Sequence, residues 1–405
     1  MSFSCFPLKG GLSNIEDLYF GGVHCGMKTN PANSSLLEPM STLDLGFVYS
    51  REPMQVSALF TSNRFQASPI KHFLGYEKGF KSNFLLLNSK NANAMNGDEG
   101  LRDIETIMKH ASSKLELICP IMSSTGVIGK RLDIEKITKG IDQFDFSSRN
   151  ATQVAHSIMT TDSFSKQYAY EVKTDKGSFV IAGIAKGAGM INPSMATMLC
   201  FLFTDASIPQ KDADELLREH NEATFNAISV DGDTSTNDSL MLFSTEKNTA
   251  YDKEAFSFAL KQIMQELAFD ILKDGEGASK LVAFEVRGAK DDTEASVIAK
   301  KLSNSLLVKT ALFGCDPNWG RIASTVGSSG CECDENRLSI FYDDLCVYEK
   351  GQNIFTPKVE EKAFAVLKKD SFKIVCDLRM GEGSFTAYGC DLSYEYVKIN
   401  AEYRT

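Results

Sequence analysis

Apolar residues recur along the chain in two rhythms, short unbroken runs and a three-four spacing, and the two alternate from one end to the other. Strand-length runs predict strands over residues 47–50, 56–61, 84–88, 115–119, 168–172, 178–184 and 198–203 in the first half. The pair flanking Thr174-Asp175-Lys176-Gly177 has the turn chemistry of a hairpin. Later strands are expected over 240–243, 280–286, 338–342, 345–348, 372–377 and 384–389, the third and fourth of these forming a hairpin around Asp343-Asp344. The three-four spacing predicts helices over 99–113, 133–138, 150–159, 209–229 in one piece or two, 252–272 and 358–367. Another helix is expected behind Asp292 as cap, with Ala295, Ile298, Leu302 and Leu306 as its stripe. Strands and helices alternating in both halves indicate an α/β protein.

A chain of 405 residues exceeds what one core usually holds, so more than one domain is expected. Lys plus Arg number 43 against 53 Asp plus Glu, and the resulting charge of −10 weighs against a nucleic-acid partner, which needs a basic face. The first twenty residues lack the basic and apolar regions of a secretory leader, and no window reaches the length of a membrane span, so a soluble cytoplasmic protein is expected. Of the ten cysteines only Cys331 and Cys333 are closely spaced; no second pair or neighbouring histidine completes a zinc site, and no metal is expected. The five histidines sit in no motif, which leaves no defensible Ser-His-Asp set. No repeat, low-complexity segment or flexible linker is visible.

Chemistry concentrates in residues 183–203, GIAKGAGMINPSMATMLCFLF. A bend permitted by glycine delivers Thr197 to the mouth of a buried strand, where a nucleophile can sit, although by pattern alone a structural strand-start threonine is the commoner use. The loop over 120–129 is rich in small residues whose backbone donors can approach a ligand, or it is a plain strand-to-helix turn. Thr160 at a helix end fits a capping role. Lys186 suits either a substrate carboxylate or a salt bridge, and Glu276 between two glycines suits an exposed turn. The polar run 231–238, DGDTSTND, lacks the oxygen spacing and closing Glu of a calcium loop. Trp319, the sole tryptophan, packs a loop or meets a ligand.

The segment KGAGMINPSMATML resembles the central motif of the ornithine acetyltransferases, also called bifunctional arginine-biosynthesis glutamate N-acetyltransferases, with its Ala-Thr self-cleavage site. TSNRFQASPI, STGVIG, DGDTSTND, the GEGA stretch at 275–278, the Asp-Pro-Asn-Trp-Gly-Arg run and the terminal INAEYRT are similar to further motifs of that family, so the resemblance spans nearly the whole chain. It departs at Lys90, where the family carries glycine; a positive backbone angle there strains a lysine.

The resemblance implies a layered αββα sandwich with a smaller C-terminal α/β portion, divided here as residues 1–280 and 281–405. It implies scission between Ala196 and Thr197 into fragments 1–196 and 197–405, which remain associated as a heterotetramer of two of each. Thr197 becomes the nucleophile, Thr125 and Gly126 form the oxyanion hole, DGDTSTND shapes the wall, and Thr160, Lys186, Thr197, Glu276, Asn400 and Thr405 contact substrate. Acetyl passes from N2-acetyl-L-ornithine to L-glutamate through an acyl-threonine. No cofactor is implied beyond acetyl-CoA as a substrate of a bifunctional or mainly acetyl-CoA-dependent enzyme. A self-processing aminopeptidase and a non-enzymatic binding protein of the same fold are the other readings.

Overall fold

The computed structural model describes residues 3–28, 39–192 and 198–402. Chain contacts divide it into two compact units, residues 1–187, 194–224 and 234–268 in the first, and 188–193, 225–233 and 269–405 in the second. The architecture is mixed α/β.

In chain order the first ten strands are β1 (Ser4–Pro7), β2 (Leu18–Val23), β3 (Leu45–Phe60), β4 (Lys81–Asn88), β5 (Ile121–Ser124), β6 (Lys166–Thr174), β7 (Gly177–Lys186), β8 (Leu199–Ala206), β9 (Ile228–Ser229) and β10 (Ser239–Asn248). All but β9 form the sheet of the first unit, in the order β1-β6-β7-β8-β10-β3-β4-β5, with β2 on β3. The β6–β7 hairpin closes at Thr174 opposite Gly177, as the turn chemistry predicts. The unbroken apolar run of β8 follows from burial on both faces. Phe201 and Phe203 enter a core with Val48, Leu85, Val154 and Phe243. Leu202 points the other way, into space left by the absent side chain of Gly183 and bounded by Ile263 and Leu267. Strand β4 alternates likewise, Leu85 and Leu87 on that face and Phe84 and Leu86 on the opposite one with Ile104, Ile107 and Ile137 of the covering helices.

Two expectations in this unit need correction. The strands expected over 47–50 and 56–61 are one strand, β3, whose pairing with β4 shifts register between Tyr49 and Met54, where the polar Arg51-Glu52-Pro53 lies. The apolar stretch 115–119 is irregular, with Cys119 at φ 40°, and the strand begins beyond Pro120, whose nitrogen carries no proton for a ladder. Lys90 does adopt the left-handed conformation, φ 71°. Lys90→Gly is therefore expected to raise stability by up to about 1 kcal/mol in chemical denaturation, since the left-handed cost falls away while glycine's greater unfolded freedom offsets part of the gain.

The second unit orders β9 with β11 (Leu281–Ala289), β12 (Ser339–Tyr342), β13 (Leu345–Glu349), β14 (Gln352–Asn353), β15 (Ser371–Asp377) and β16 (Gly383–Cys390) as β14-β13-β12-β15-β11-β16-β9. Its core joins Phe284, Ile298, Leu302, Ile322, Ile340 and Ile374. The helix expected behind Asp292 is capped one residue earlier, by the Asp291 carboxylate, and ends at Asn304. Leu306 starts a separate helix, Leu306–Phe313, capped by Ser305, and Trp319 opens another, Trp319–Gly327, with its ring stacked on Tyr348 at 4.7 Å.

The division expected at 280 falls instead inside the helix Lys253–Lys273, between Ala268 and Phe269. Phe269 packs on Tyr388, 4.9 Å between ring centroids, which ties the last turns of that helix to the second unit. Residues 188–193 and 225–233 join it because Val230 N–H donates to Ile191 O at 2.9 Å and Glu276 N–H to Ala188 O at 2.8 Å. Among the described residues no helix is long and apolar enough to cross a membrane, and no group of three or more metal-ligating side chains comes together.

Candidate active site

Strands β4 and β5 run parallel, so Asn88 and Ser124 end side by side and the loop STGVIG leaves the sheet from that edge. Ser124 Oγ donates to Asn88 Oδ1 at 2.5 Å. The Thr125 N–H donates to Asn88 O at 3.0 Å, so the hydroxyl is the donor that Thr125 has left for a ligand. Gly126 sits at φ 135°, where a Cβ would lie 2.2 Å from the carbonyl carbon of Lys90 and 2.4 Å from Asn91 N. Only glycine admits that approach. The polar run DGDTSTND supports this edge through side chains: Asn237 Nδ2 donates to Ala92 O at 2.6 Å and to Ser124 O at 2.8 Å. The Thr61 hydroxyl, from the segment TSNRFQASPI, donates to Ser235 O at 2.7 Å.

Lys186 ends β7, buried, with Nζ 3.1 Å from Thr125 Oγ. Close to it lies Asp162, whose side chain is fully buried and paired with the fully buried Lys166 at 2.8 Å. Asp162 also accepts the N–H of Thr160 at 3.0 Å and that of Gly187 at 2.7 Å. Burial alone pushes the Asp162 carboxyl up, but the Lys186 and Lys166 charges outweigh it and hold the group at about 2. A carboxyl held below its unfolded value of about 4 stabilises the fold above that pH, and the contribution is lost as pH falls toward about 2. Wild-type stability is thus expected to drop about 1 kcal/mol more between pH 6 and pH 3 than that of Asp162→Asn, read by urea titration at both pH values. Lys28, whose charge reaches Asp162 and Lys186, is pushed down by burial to about 8.

Ala196 and Thr197 lie outside the described residues. The chain is described again from Met198, whose N–H donates to Asp238 Oδ1 at 3.1 Å and whose carbonyl accepts Ser239 N–H at 3.1 Å. Asp238 is fully buried; its Oδ2 has no hydrogen-bond partner among the described residues, and burial raises its carboxyl well above the ordinary range.

In the second unit, Glu276 lies across Gly189, where a Cβ would stand 2.4 Å from its carboxylate. Asn400 Nδ2 donates to Glu276 Oε2 at 2.7 Å, so two residues 124 positions apart that the resemblance assigns to substrate do meet. Asp231 accepts the N–H groups of Met190 and Ile191 at 2.6 and 3.0 Å and the Tyr396 hydroxyl at 3.3 Å, fixing the bend after Gly189. Thr405 lies outside the described residues.

The structure thus groups Thr125, Gly126, Thr160 and Lys186 in one unit and Glu276 with Asn400 in the other. The reading of the residues missed Asp162 and Lys166, and placed Asp238 only as part of the DGDTSTND wall. Lys166 is fully buried at the start of β6, where a charge needs a partner, but nothing in the sequence announces that burial.

The sequence pattern of the ArgJ family matches residues 20–405. The chain is 53% identical over 405 residues, all of both chains, to the arginine biosynthesis bifunctional protein ArgJ of Wolinella succinogenes. It is 38% identical over 412 residues, 98% of this chain and 97% of the relative, to the protein of that name from Bacillus subtilis. A crystal structure of the Bacillus halodurans protein of that name is 40% identical, covers 50% of this chain and 97% of its own, and has a TM-score of 0.46. With identity at this level across both full lengths, the chain belongs to the ArgJ family.

Proposed function

We propose that this protein is an acetyltransferase of arginine biosynthesis that moves the acetyl group of N2-acetyl-L-ornithine to L-glutamate through an acyl-enzyme on Thr197. The full-length match to proteins named for arginine biosynthesis carries the reading. Cleavage between Ala196 and Thr197 gives fragments 1–196 and 197–405 and frees the α-amine that serves as base. Attack by the Thr197 hydroxyl makes an oxyanion, for which the Thr125 hydroxyl, free of the backbone pairing that occupies its N–H, and Gly126 are the donors. In N2-acetylornithine the α-amine is acylated, so the side-chain ammonium is its one cation. The Glu276 carboxylate, oriented by Asn400, suits that ammonium. Thr160, Lys186 and Thr405 complete the substrate contacts, Lys186 toward the carboxylate. Ornithine then leaves and the glutamate amine takes the acetyl group. The fragments assemble as two of each in the cytoplasm, without a cofactor.

Incubation with N-acetylornithine and glutamate should yield N-acetylglutamate and ornithine. The word bifunctional in the relatives' names favours a second activity, in which acetyl-CoA replaces acetylornithine as donor. Product formed from acetyl-CoA and glutamate alone would establish it. Peptide hydrolysis without acetyl transfer would point to the aminopeptidase, and neither activity to a binding protein. Glu276→Gln is expected to raise KM for N-acetylornithine about 10- to 100-fold with a much smaller change in kcat, because a charge-assisted contact made in both ground and transition states is lost.

A further inference from the structure

We infer that Asp162 is a positioning residue for acyl transfer, setting the Lys186 ammonium behind the Thr125 hydroxyl so that this hydroxyl becomes a polarised oxyanion donor. The inference rests on the acetyl-transfer reading above and gives Lys186 work besides any contact with a substrate carboxylate.

An ammonium has three donors and no acceptor, so in the 3.1 Å contact Lys186 donates and Thr125 Oγ accepts. With one lone pair engaged by a cation and the Thr125 N–H committed to Asn88 O, the hydroxyl proton is the donor that remains, and it is strengthened by the charge behind it. A lysine only 3% exposed needs a compensating anion. Asp162 supplies it from a fixed position. One oxygen takes Lys166 Nζ and the Gly187 N–H, and the other takes the Thr160 N–H. Because Gly187 follows Lys186 directly, the same carboxylate holds the end of the strand that carries the lysine. Asp238 and Lys28 also feel the Lys186 charge, but the Gly187 N–H donates to Asp162.

Were Asp162 only a counter-charge that keeps the fold together, its loss would cost the same whether or not Thr125 has a hydroxyl. A double-mutant cycle separates the two cases. Purified wild type, Asp162→Asn, Thr125→Val and the double variant are matured to completion, checked by intact mass, and assayed for acetyl transfer per cleaved chain. Thr125→Val should lower kcat about 10²- to 10³-fold, the effect of losing one oxyanion donor. Asp162→Asn should lower kcat about 10- to 100-fold in the wild-type background, with KM for N-acetylornithine within about 3-fold, but less than about 3-fold in the Thr125→Val background. Equal factors in both backgrounds, or an unchanged kcat in Asp162→Asn, overturn the inference. If Asp162→Asn does not fold, the cycle is run with Asp162→Asn/Lys166→Met, which keeps the summed charge of Asp162, Lys166 and Lys186. If Thr125→Val does not mature, the rate of precursor cleavage is the readout in the same cycle, since it passes through the same kind of oxyanion. A wild-type chain with no transferase activity overturns the reading itself, and this inference with it.

Discussion

Replacing Thr197 by alanine is expected to leave one uncut chain of 405 residues with acetyl-transfer activity reduced at least about 10³-fold, the scale seen when an enzyme loses its nucleophile. An alcohol at its ordinary ionisation attacks poorly and needs a base. The proposed scission before Thr197 would supply one within the same residue: an α-amine with an ordinary pKa of about 7.7–8.0, neutral in good part near the working pH. Alanine removes the hydroxyl that, in the proposed mechanism, both cleaves the chain and later carries the acetyl group. The hydrogen bond from Met198 N–H to the Asp238 carboxylate does not involve the lost atoms, so the variant should melt within a few degrees of the uncut wild type. Thr197→Ser keeps hydroxyl and amine and should mature and turn over at a reduced rate. Normal cleavage of the alanine variant at this junction would remove Thr197 from the mechanism.

The second large effect is expected at Gly126. An alanine there places its methyl 2.2 Å from the Lys90 carbonyl carbon, 2.4 Å from Asn91 N and 2.6 Å from Lys90 Cα. These are backbone atoms, which cannot rotate out of the way as a side chain would, and the φ of 135° is itself unfavourable for an L-residue. Relief requires the loop to move away from residues 90–91, and the proposed oxyanion donors move with it. Gly126→Ala should therefore lower kcat about 10²-fold or more and reduce stability by about 3 kcal/mol, read by steady-state kinetics and urea titration. Near-wild-type kinetics would mean the loop is not where the oxyanion forms. Lys90→Gly, which leaves those backbone atoms in place, should leave kcat near wild type.

Sequence patterning conveyed much of this protein because most of its elements bury one clear face. The strand β8 and the helix Lys253–Lys273 announced themselves through runs and stripes that the core then uses, Phe201 and Phe203 on one side and Ile263 and Leu267 on the other. The helix Leu306–Phe313 escaped because Leu306 and Leu307, 64% and 62% exposed, blur the short stripe that Val308, Ala311 and Leu312 bury. Its capping Ser305 was the readable signal, since the Ser305 hydroxyl accepts Val308 N–H. The strand β5 was misplaced because Pro120 moved its start past an apolar run.

The candidate site divides in the same way. Motifs carried Thr125, Gly126, Lys186, Glu276 and Asn400, and the left-handed Lys90 was anticipated from the resemblance, which expects a glycine there. The Asp162–Lys166 pair was not legible, because their spacing of four suggests a helical surface pair, whereas the structure buries both completely outside any helix. Asp238 lay in plain view within DGDTSTND, but its tie to Met198 spans 40 residues and exists only through the parallel pairing of β8 with β10.

The account depends on one threonine acquiring an amino group of its own, and N-terminal sequencing with intact-mass measurement of catalytically active protein tests that most directly. Two polypeptides are predicted, one of them beginning TMLCF. Full acetyl-transfer activity in material that contains only the unbroken chain would contradict the account.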